Sequence, residues 1–212
     1  MLIIGLTGGI ATGKTLVSDT WAQRGVPVID GDKTYHGLLA TDPSLTTAIL
    51  EAFGRQVIDD QGRVDRRALG ALVFADRESL DRLDQITHPA VHADFERAIQ
   101  VLARQGNPVV VLSVPLLFEA GTDQMVDRVV VVTCSPEAQL SRLMARAGID
   151  AVTARARIQS QMPLALKEAR AWRVLRNDGS QEATREAAGV MIDEILLQAQ
   201  THHESRRPNS DS

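Results

Sequence analysis

The sequence predicts an α/β fold with a mainly parallel sheet. Short apolar segments alternate with helical patterns along most of the chain, as in proteins built from strand–helix–strand units. Residues 109–112 and 129–132 are runs of β-branched and apolar residues without alternating polarity, which is typical of central parallel strands covered on both faces. A glycine-rich segment joins the first apolar run to the first helical pattern and indicates a strand–loop–helix unit.

Hydrophobic patterning and breaks at glycine and proline place the individual elements. Strands are predicted at residues 2–6, 26–29, 109–112, 129–132 and 174–175. Helices are predicted at residues 14–24, 43–105, 138–170 and 180–200. The second helical region is expected to break at Gly54, at residues 59–62 and at His88–Pro89, and the third near Gly148 and at Pro163. The tail from Thr201 has no apolar anchor and is expected to be disordered.

The composition is that of an ordinary globular protein. The 212 residues are 44% hydrophobic, and a net charge of −4 gives no reason to expect nucleic acid or an anionic membrane as a partner. Cys134 is the single cysteine, so no internal disulfide can form, and we expect it to be a buried apolar group. No apolar stretch approaches the ~20 residues that span a bilayer, and the N-terminus does not resemble a secretory leader. We therefore expect a cytoplasmic protein with a small-molecule substrate.

The segment GGIATGKT at residues 8–15, hereafter the phosphate loop, fits the pattern G-x-x-x-x-G-K-[ST]. In such a loop, backbone N–H groups form an anion cradle at a helix N-terminus. Lys14 is expected to reach the β- and γ-phosphates of ATP, and Thr15 to offer its hydroxyl to Mg²⁺. The pattern should arise by chance in about one chain in a hundred. The alternative is a plain glycine turn between a strand and a helix. The predicted ATP-binding residues here are Gly8, Gly9, Ile10, Ala11, Thr12, Gly13, Lys14, Thr15 and Leu16.

Two carboxylates follow the second predicted strand. A kinase that acts on a hydroxyl needs a carboxylate to orient the acceptor and take its proton, and Asp32 is the natural candidate. Asp30 lies two residues away on what we expect to be an extended strand end, so both side chains would face the same side. One of the two, with Asp30 as the candidate, could then serve the metal through water, and which of them lies nearer the metal stays open. The alternative for each is a loop aspartate that caps or turns the chain.

Positive charge is concentrated between residues 142 and 176. Eight basic residues stand there against two acidic ones, in a protein of net negative charge. Such an excess suits a lid that closes over ATP phosphates and stabilises transition-state charge. For any single arginine, a solvated helix face is the alternative. The eight residues are Arg142, Arg146, Arg155, Arg157, Lys167, Arg170, Arg173 and Arg176.

Several motifs in the same order resemble the dephospho-CoA kinase family, from about Leu2 to Leu197. They are GLTGGIATGKT, VIDGD, the His88–Pro89 pair, VPLLFE at 114–119, SPEAQLSRLMAR at 135–146, Gln161, and Asn177–Asp178–Gly179. The resemblance implies transfer of the γ-phosphoryl of ATP to the 3′-hydroxyl of the ribose of dephospho-CoA, with Mg²⁺ as cofactor. It also implies a P-loop nucleotide-kinase fold in three layers, with a five-stranded parallel sheet, a helical substrate-binding subdomain and a helical lid.

The resemblance also assigns roles and boundaries. Lys14, Asp32 and Arg142 would be catalytic, and Arg142, Arg146 and Asn177 would join the phosphate loop in binding ATP. The predicted substrate-binding residues are Asp30, Asp32, His36, His88, Leu117, Glu119 and Gln161. A single domain, expected to be a monomer, would cover residues 1–200, with a tail at 201–212. Its core would be about 1–31, 107–136 and 172–200, its substrate subdomain about 32–106, and its lid about 137–171.

Three departures leave alternatives open. His36 stands where the family commonly has arginine, Gly31 replaces alanine, and Trp172 with Arg173 replaces an Ala-Asp-Asp type sequence. Protonated His36 could contact a phosphate or simply lie on the surface. His88 could bind substrate or cap a helix start. Trp172 could stack on an adenine or pack in the core. Another small P-loop kinase for a nucleoside, nucleotide or metabolite, or an inactive nucleotide-binding relative, is the alternative function. A GTPase would need an N-K-x-D motif, which the sequence lacks.

Overall fold

The computed structural model describes residues 1–204, apart from the side chains of residues 74, 75 and 202–204. A five-stranded sheet runs in the order β2-β3-β1-β4-β5, and β1 pairs in parallel with both β3 and β4, as β4 does with β5. This confirms the predicted parallel α/β sheet. The strands are β1 (Leu2–Gly8), β2 (Val28–Asp30), β3 (Val109–Ser113), β4 (Arg128–Thr133) and β5 (Arg173–Arg176).

Nine α-helices lie within residues 1–204, with two short 3-10 turns at Arg55–Val57 and Thr122–Met125. None of the described helices is both long enough and apolar enough to cross a lipid bilayer. The helices are α1 (Lys14–Gln23), α2 (Gly31–Thr41), α3 (Pro43–Phe53), α4 (Arg66–Ala75), α5 (Arg77–Arg104), α6 (Pro136–Ala147), α7 (Ala151–Gln159), α8 (Leu164–Ala169) and α9 (Gln181–Glu204).

The chain forms two compact units. The first comprises residues 1–29 with the described residues from 99 onward, and it contains the sheet core. All five residues of β3 are buried, as expected for a central strand. Helices α1 and α9 pack together over this core, where the fully buried Trp21 donates its Nε1–H to the Ala188 carbonyl at 2.8 Å. Cys134 is buried here, as predicted.

The second unit comprises residues 30–98 and has its own apolar core. Helix α2 was not predicted as a helix, although the other helices of this unit were. The unit ends at residue 98, within α5, which continues to Arg104, and the substrate subdomain at about 32–106 stays a prediction. The buried residues of this apolar core are Leu39, Leu45, Ile49, Phe53, Val57, Val64, Leu69, Val73 and Leu83.

The predicted break at His88–Pro89 is wrong. Helix α5 is continuous through Pro89, even though an interior proline usually costs about 3 kcal/mol. Leu83, Thr87 and Val91 lie four residues apart along it, and all three are buried. Packing of that stripe outweighs the local penalty. The same continuity excludes His88 from capping a helix start.

Most other breaks and ends agree with the sequence. Gly54 directly follows α3, Gly148 directly follows α6 in the left-handed conformation, and Pro163 precedes α8. Helix α9 ends at Glu204, so the predicted disordered tail is wrong for residues 201–204. The rest of that tail, residues 205–212, lies outside the described residues.

Candidate functional site

The phosphate loop connects β1 to α1 in the first unit. Gly13 precedes α1 in the left-handed conformation at φ 97°, and Leu16 N donates to the Gly13 carbonyl at 3.0 Å in the first helical turn. Ala11 also has a positive φ, 61°, and is the only non-glycine residue in the described part of the chain that does. The loop therefore ends at a helix N-terminus whose backbone N–H groups can bind an anion.

Two loop glycines are required by close packing and not by a left-handed backbone. A Cβ atom on Gly8 would lie 2.5 Å from the Val132 carbonyl oxygen, and one on Gly9 would lie 2.6 Å from Gln139 Nε2. Glycine is required at position 13 for two reasons. Its backbone is left-handed, and a Cβ atom there would lie 2.1 Å from Asn177 Nδ2. The glycine spacing thus reflects neighbours that the sequence did not identify.

Polar side chains hold the loop. Ile10 N donates to Gln161 Oε1 at 2.8 Å, and Gln139 Nε2 donates to the Ile10 carbonyl at 2.8 Å. Asn177 Nδ2 donates to the Thr12 carbonyl at 2.8 Å. Gln161 and Asn177 were predicted as substrate- and ATP-binding residues, whereas here their amides contact the loop itself. Gln139 was missed, because a glutamine inside an amphipathic helix carries no signal of burial.

Lys14 also has a partner that the sequence did not suggest. Its Nζ donates to Ser113 Oγ at 2.7 Å, and Ser113 is fully buried at the C-terminal end of β3. The adjacent Thr15 side chain is exposed on the first turn of α1. The loop thus presents an ammonium group and a hydroxyl beside its anion-binding backbone.

Arg142 lies on α6 and contacts the segment that follows β5. Its Nη1 donates to the Asn177 carbonyl at 2.8 Å. Asn177 is further fixed by its own N–H, which donates to the Thr133 carbonyl at 2.7 Å, and by its Oδ1, which accepts from Thr184 at 2.7 Å. Arg142 and Asn177 therefore lie together beside the loop, and ATP binding by both stays a prediction.

The eight basic residues between 142 and 176 divide into two groups. Four form ion pairs with carboxylates of the same unit: Lys167 with Glu119, Arg170 with Asp123, Arg173 with Glu194, and Arg176 with Asp178. Within residues 1–204, the other four form no salt bridge: Arg142, Arg146, Arg155 and Arg157. Of the eight basic residues, only this second group carries positive charge that no described carboxylate pairs with.

Leu117 and Glu119 are engaged within the protein. Leu117 is fully buried whereas its neighbour Leu116 is exposed, and substrate binding by Leu117 stays a prediction. Glu119 accepts from Met162 N at 3.0 Å and pairs with the fully buried Lys167 at 2.9 Å. A buried ammonium requires such a counter-charge, which the sequence did not reveal.

Asp30 and Asp32 lie in the second unit, and their expected arrangement is wrong. Asp30 caps α2, because its Oδ1 accepts from Lys33 N at 3.0 Å. The chain turns helical at Gly31, so Asp32 occupies the first turn of α2 and not an extended strand end. The strand alternation that placed both carboxylates on one side therefore does not apply. Asp32 is exposed.

His36 is half-buried and paired with an arginine. Its Nε2 lies 2.9 Å from Arg66 Nη2, and because a guanidinium can only donate, Nε2 accepts and Nδ1 carries the proton. That Nδ1 is buried without a partner. Burial and the Arg66 charge lower the pKa of His36, against the opposing charges of Asp32 and Asp30. Neutral His36 is favoured, which argues against a phosphate contact from its protonated form.

Two further predicted positions are partly exposed. His88 lies on α5, 3.6 Å from Asp84, and stacks on His92 at a ring-centroid distance of 6.1 Å. Trp172 lies at the surface with 38% exposure, and the Arg173 guanidinium lies 4.7 Å from its ring centroid. Neither residue belongs to an apolar core.

No group of three or more His, Cys, Asp or Glu side chains within the described residues could hold a metal ion. Mg²⁺ usually keeps several waters and binds through few protein oxygens together with substrate phosphates. The exposed Thr15 hydroxyl beside the phosphate loop fits that kind of site.

Comparisons with known proteins agree on one family. A family profile described as dephospho-CoA kinase matches residues 2–183. A Bacillus cereus dephospho-CoA kinase is 41% identical over 191 residues, which cover 90% of this chain and 96% of that protein. The Geobacillus kaustophilus dephospho-CoA kinase is 44% identical over 184 residues, which cover 87% of this chain and 92% of that protein. The solved dephospho-CoA kinase structure of Campylobacter jejuni has a TM-score of 0.72 at 26% identity. The match covers 92% of this chain and 98% of that structure's chain.

Proposed function

This chain belongs to the dephospho-CoA kinase family, and from that premise we propose that it transfers the γ-phosphoryl group of ATP to the 3′-hydroxyl of the ribose of dephospho-CoA. It is thus an ATP-dependent kinase of coenzyme A synthesis. The observation that supports this chemistry most directly is the phosphate loop, with Lys14 at a helix N-terminus and Arg142 beside it.

In the proposed reaction, the acceptor oxygen forms a bond to the γ-phosphorus while the bond from that phosphorus to the β–γ bridging oxygen breaks. Asp32 accepts the proton of the acceptor hydroxyl, and ADP leaves with the electron pair of the broken bond. Lys14 exchanges Ser113 for the phosphates and stabilises their charge, with Arg142 and Arg146 contributing from α6. Exposure of Asp32 leaves its carboxylate accessible to a substrate.

We assign Thr15 as the protein ligand of Mg²⁺, which when bound neutralises charge on the phosphates. Asp30 keeps one carboxylate oxygen beyond the one that caps α2, and we retain it as a water-mediated contact. We further assign residues 30–98 to dephospho-CoA binding, with His36 and His88 as contributors. Gln161 and Glu119 contact the protein itself, so we do not retain them as direct substrate contacts.

The proposal also covers the location, the partners and the oligomeric state of the enzyme. We infer a cytoplasmic monomer that binds small molecules and neither nucleic acid nor membranes, on the basis of its net charge of −4 and its single cysteine. Light scattering during gel filtration tests the monomer, because a mass of two chains would contradict it.

The decisive experiment measures ADP release by the purified protein with Mg²⁺ and ATP. We expect release in proportion to added dephospho-CoA, and a product phosphorylated at the 3′ position. Stimulation by adenylate or nucleosides but not by dephospho-CoA would reject the assignment.

Asp32 has a separate test. Asp32→Asn should lower kcat about 100-fold or more while ATP affinity stays nearly constant, since only the proton acceptor is lost. Asp60→Asn is the matched control, because Asp60 is an exposed aspartate of the same unit. An unchanged kcat in Asp32→Asn would remove Asp32 from this role.

A further inference from the structure

The Ile10 peptide groups are held from two sides by glutamines that lie far apart in the sequence. Gln161 supplies its amide oxygen to the Ile10 N–H, and Gln139 supplies its amide nitrogen to the Ile10 carbonyl. Each glutamine presents the atom that its partner requires, since an N–H needs an acceptor and a carbonyl needs a donor. Both amide orientations are therefore determined by one residue of the phosphate loop.

A third carboxamide holds the loop two residues further on. Asn177 is 5% exposed and donates to the Thr12 carbonyl, while Thr184 fixes its other amide atom. The two attachment points at Ile10 and Thr12 flank Ala11, whose left-handed backbone is unfavourable for a residue with a side chain. Such a conformation persists only where surrounding contacts determine it.

The loop is shaped to admit these amides. A side chain on Gly9 would collide with Gln139 Nε2, and one on Gly13 would collide with Asn177 Nδ2. Gln139 is itself 6% exposed, so its amide is held inside the protein and does not sample solvent. Gly9 thus leaves room for the Gln139 amide, and Gly13 leaves room for the Asn177 amide.

Gln161 is anchored in turn by the residue that follows it. Met162 N donates to Glu119, and Glu119 pairs with the fully buried Lys167. The segment between α7 and α8 is thereby tied to the unit that carries the loop. This ion pair explains why an exposed connection between two helices can present an amide in a fixed position.

We propose that Gln139, Gln161 and Asn177 form a carboxamide clamp, a set of positioning residues that hold the phosphate loop in its anion-binding shape before nucleotide arrives. The proposal deepens the proposed function and relies on it only in treating the loop as the site of the ATP phosphates. Holding the loop in advance strengthens nucleotide binding, because less ordering is needed on association.

Nucleotide binding provides the first test. Gln139→Met and Gln161→Met each remove one hydrogen bond at similar volume, and each should weaken ADP binding about fivefold in titration calorimetry, with about 20-fold for the double variant. Gln198→Met, an exposed glutamine on α9, is the matched control and should bind ADP normally. Urea unfolding must show that the variants stay folded. Normal ADP affinity in both single variants would overturn the clamp.

Hydrogen exchange of the nucleotide-free protein provides a second test that needs no ligand. The Ile10 amide should exchange about tenfold faster in Gln161→Met than in the unaltered protein. Gln161→Glu retains an acceptor oxygen and should restore slow exchange, which a general loss of structure would not do. Equal exchange rates in all three proteins would overturn the clamp. Failure of the unaltered protein to phosphorylate dephospho-CoA would contradict the proposed function but leave this result intact.

Discussion

Removing Glu119 alone should destabilise the protein more than removing both partners of the Glu119–Lys167 pair. Lys167 is fully buried and its Nζ contacts both Glu119 carboxylate oxygens and the Pro115 carbonyl, at 2.9 to 3.1 Å. Glu119→Gln leaves a buried ammonium beside neutral acceptors only. Breaking a buried pair in this way costs about 3–5 kcal/mol, and the 23% exposure of Glu119 places the expected loss near the lower value, about 3 kcal/mol.

Lys167→Met removes the buried charge and leaves Glu119 partly hydrated, so we expect a smaller loss of about 1–2 kcal/mol. The double variant should lose about 2 kcal/mol in total, which corresponds to a coupling of about 2 kcal/mol when compared with the sum of the single changes. Urea unfolding near neutral pH measures all three free energies.

The exposed Arg77–Asp81 pair is the matched control, because its atoms are also 2.9 Å apart but its side chains are 83% and 51% exposed. The cycle of Arg77→Met and Asp81→Asn should show a coupling of about 0.5 kcal/mol or less. Additive losses in the Glu119–Lys167 cycle would refute the reasoning that burial makes this pair strong.

Two further predictions concern Ala11 and His36. Ala11→Gly should raise the free energy of unfolding by about 0.5–1 kcal/mol, since glycine adopts the left-handed conformation at φ 61° without strain. The reverse change, Gly121→Ala at φ 67°, should lower the free energy of unfolding by a similar amount, because a Cβ atom there would meet no neighbouring atom. A decrease for Ala11→Gly in urea unfolding would contradict the strain. The fold lowers the pKa of His36 below its ordinary 6.5, so the unfolded chain binds the proton more tightly and stability should decrease as the pH falls through and below that value. His36→Gln keeps an acceptor for Arg66 and cannot titrate, so it should lose less stability between about pH 7.5 and 5.5, and equal losses would contradict the assignment.

The sheet and most helices could be predicted because their signals are local. An apolar β-branched run such as residues 109–112 indicates a buried strand whatever the rest of the chain does. Gly148 and Pro163 mark helix ends for reasons of backbone geometry alone. Helix α5 was misjudged at Pro89 because the local cost of an interior proline is smaller than the packing energy of the stripe that spans it.

The arrangement of the candidate site was predicted less well. The strand alternation assumed for Asp30 and Asp32 failed because the Asp30 carboxylate caps α2, and the chain is already helical at Gly31. Leu117 and Leu116 are indistinguishable as sequence, yet only Leu116 is exposed. His36 pairs with Arg66, which is 30 residues away in the sequence. The sequence allowed a surface histidine, whereas in the structure His36 is half-buried and its neutral form is favoured.

The sequence by itself determined that this protein has a phosphate loop, a parallel sheet and a family, because contiguous residues define a motif and the order of motifs defines a relative. The tertiary structure alone decided which amides hold the loop and which charges remain available to a ligand. Ile10 and Gln161 are 151 residues apart, and Lys167 and Glu119 are 48 apart. Hydrogen bonds and ion pairs depend on distances of about 3 Å, and only the folded chain brings such positions that close.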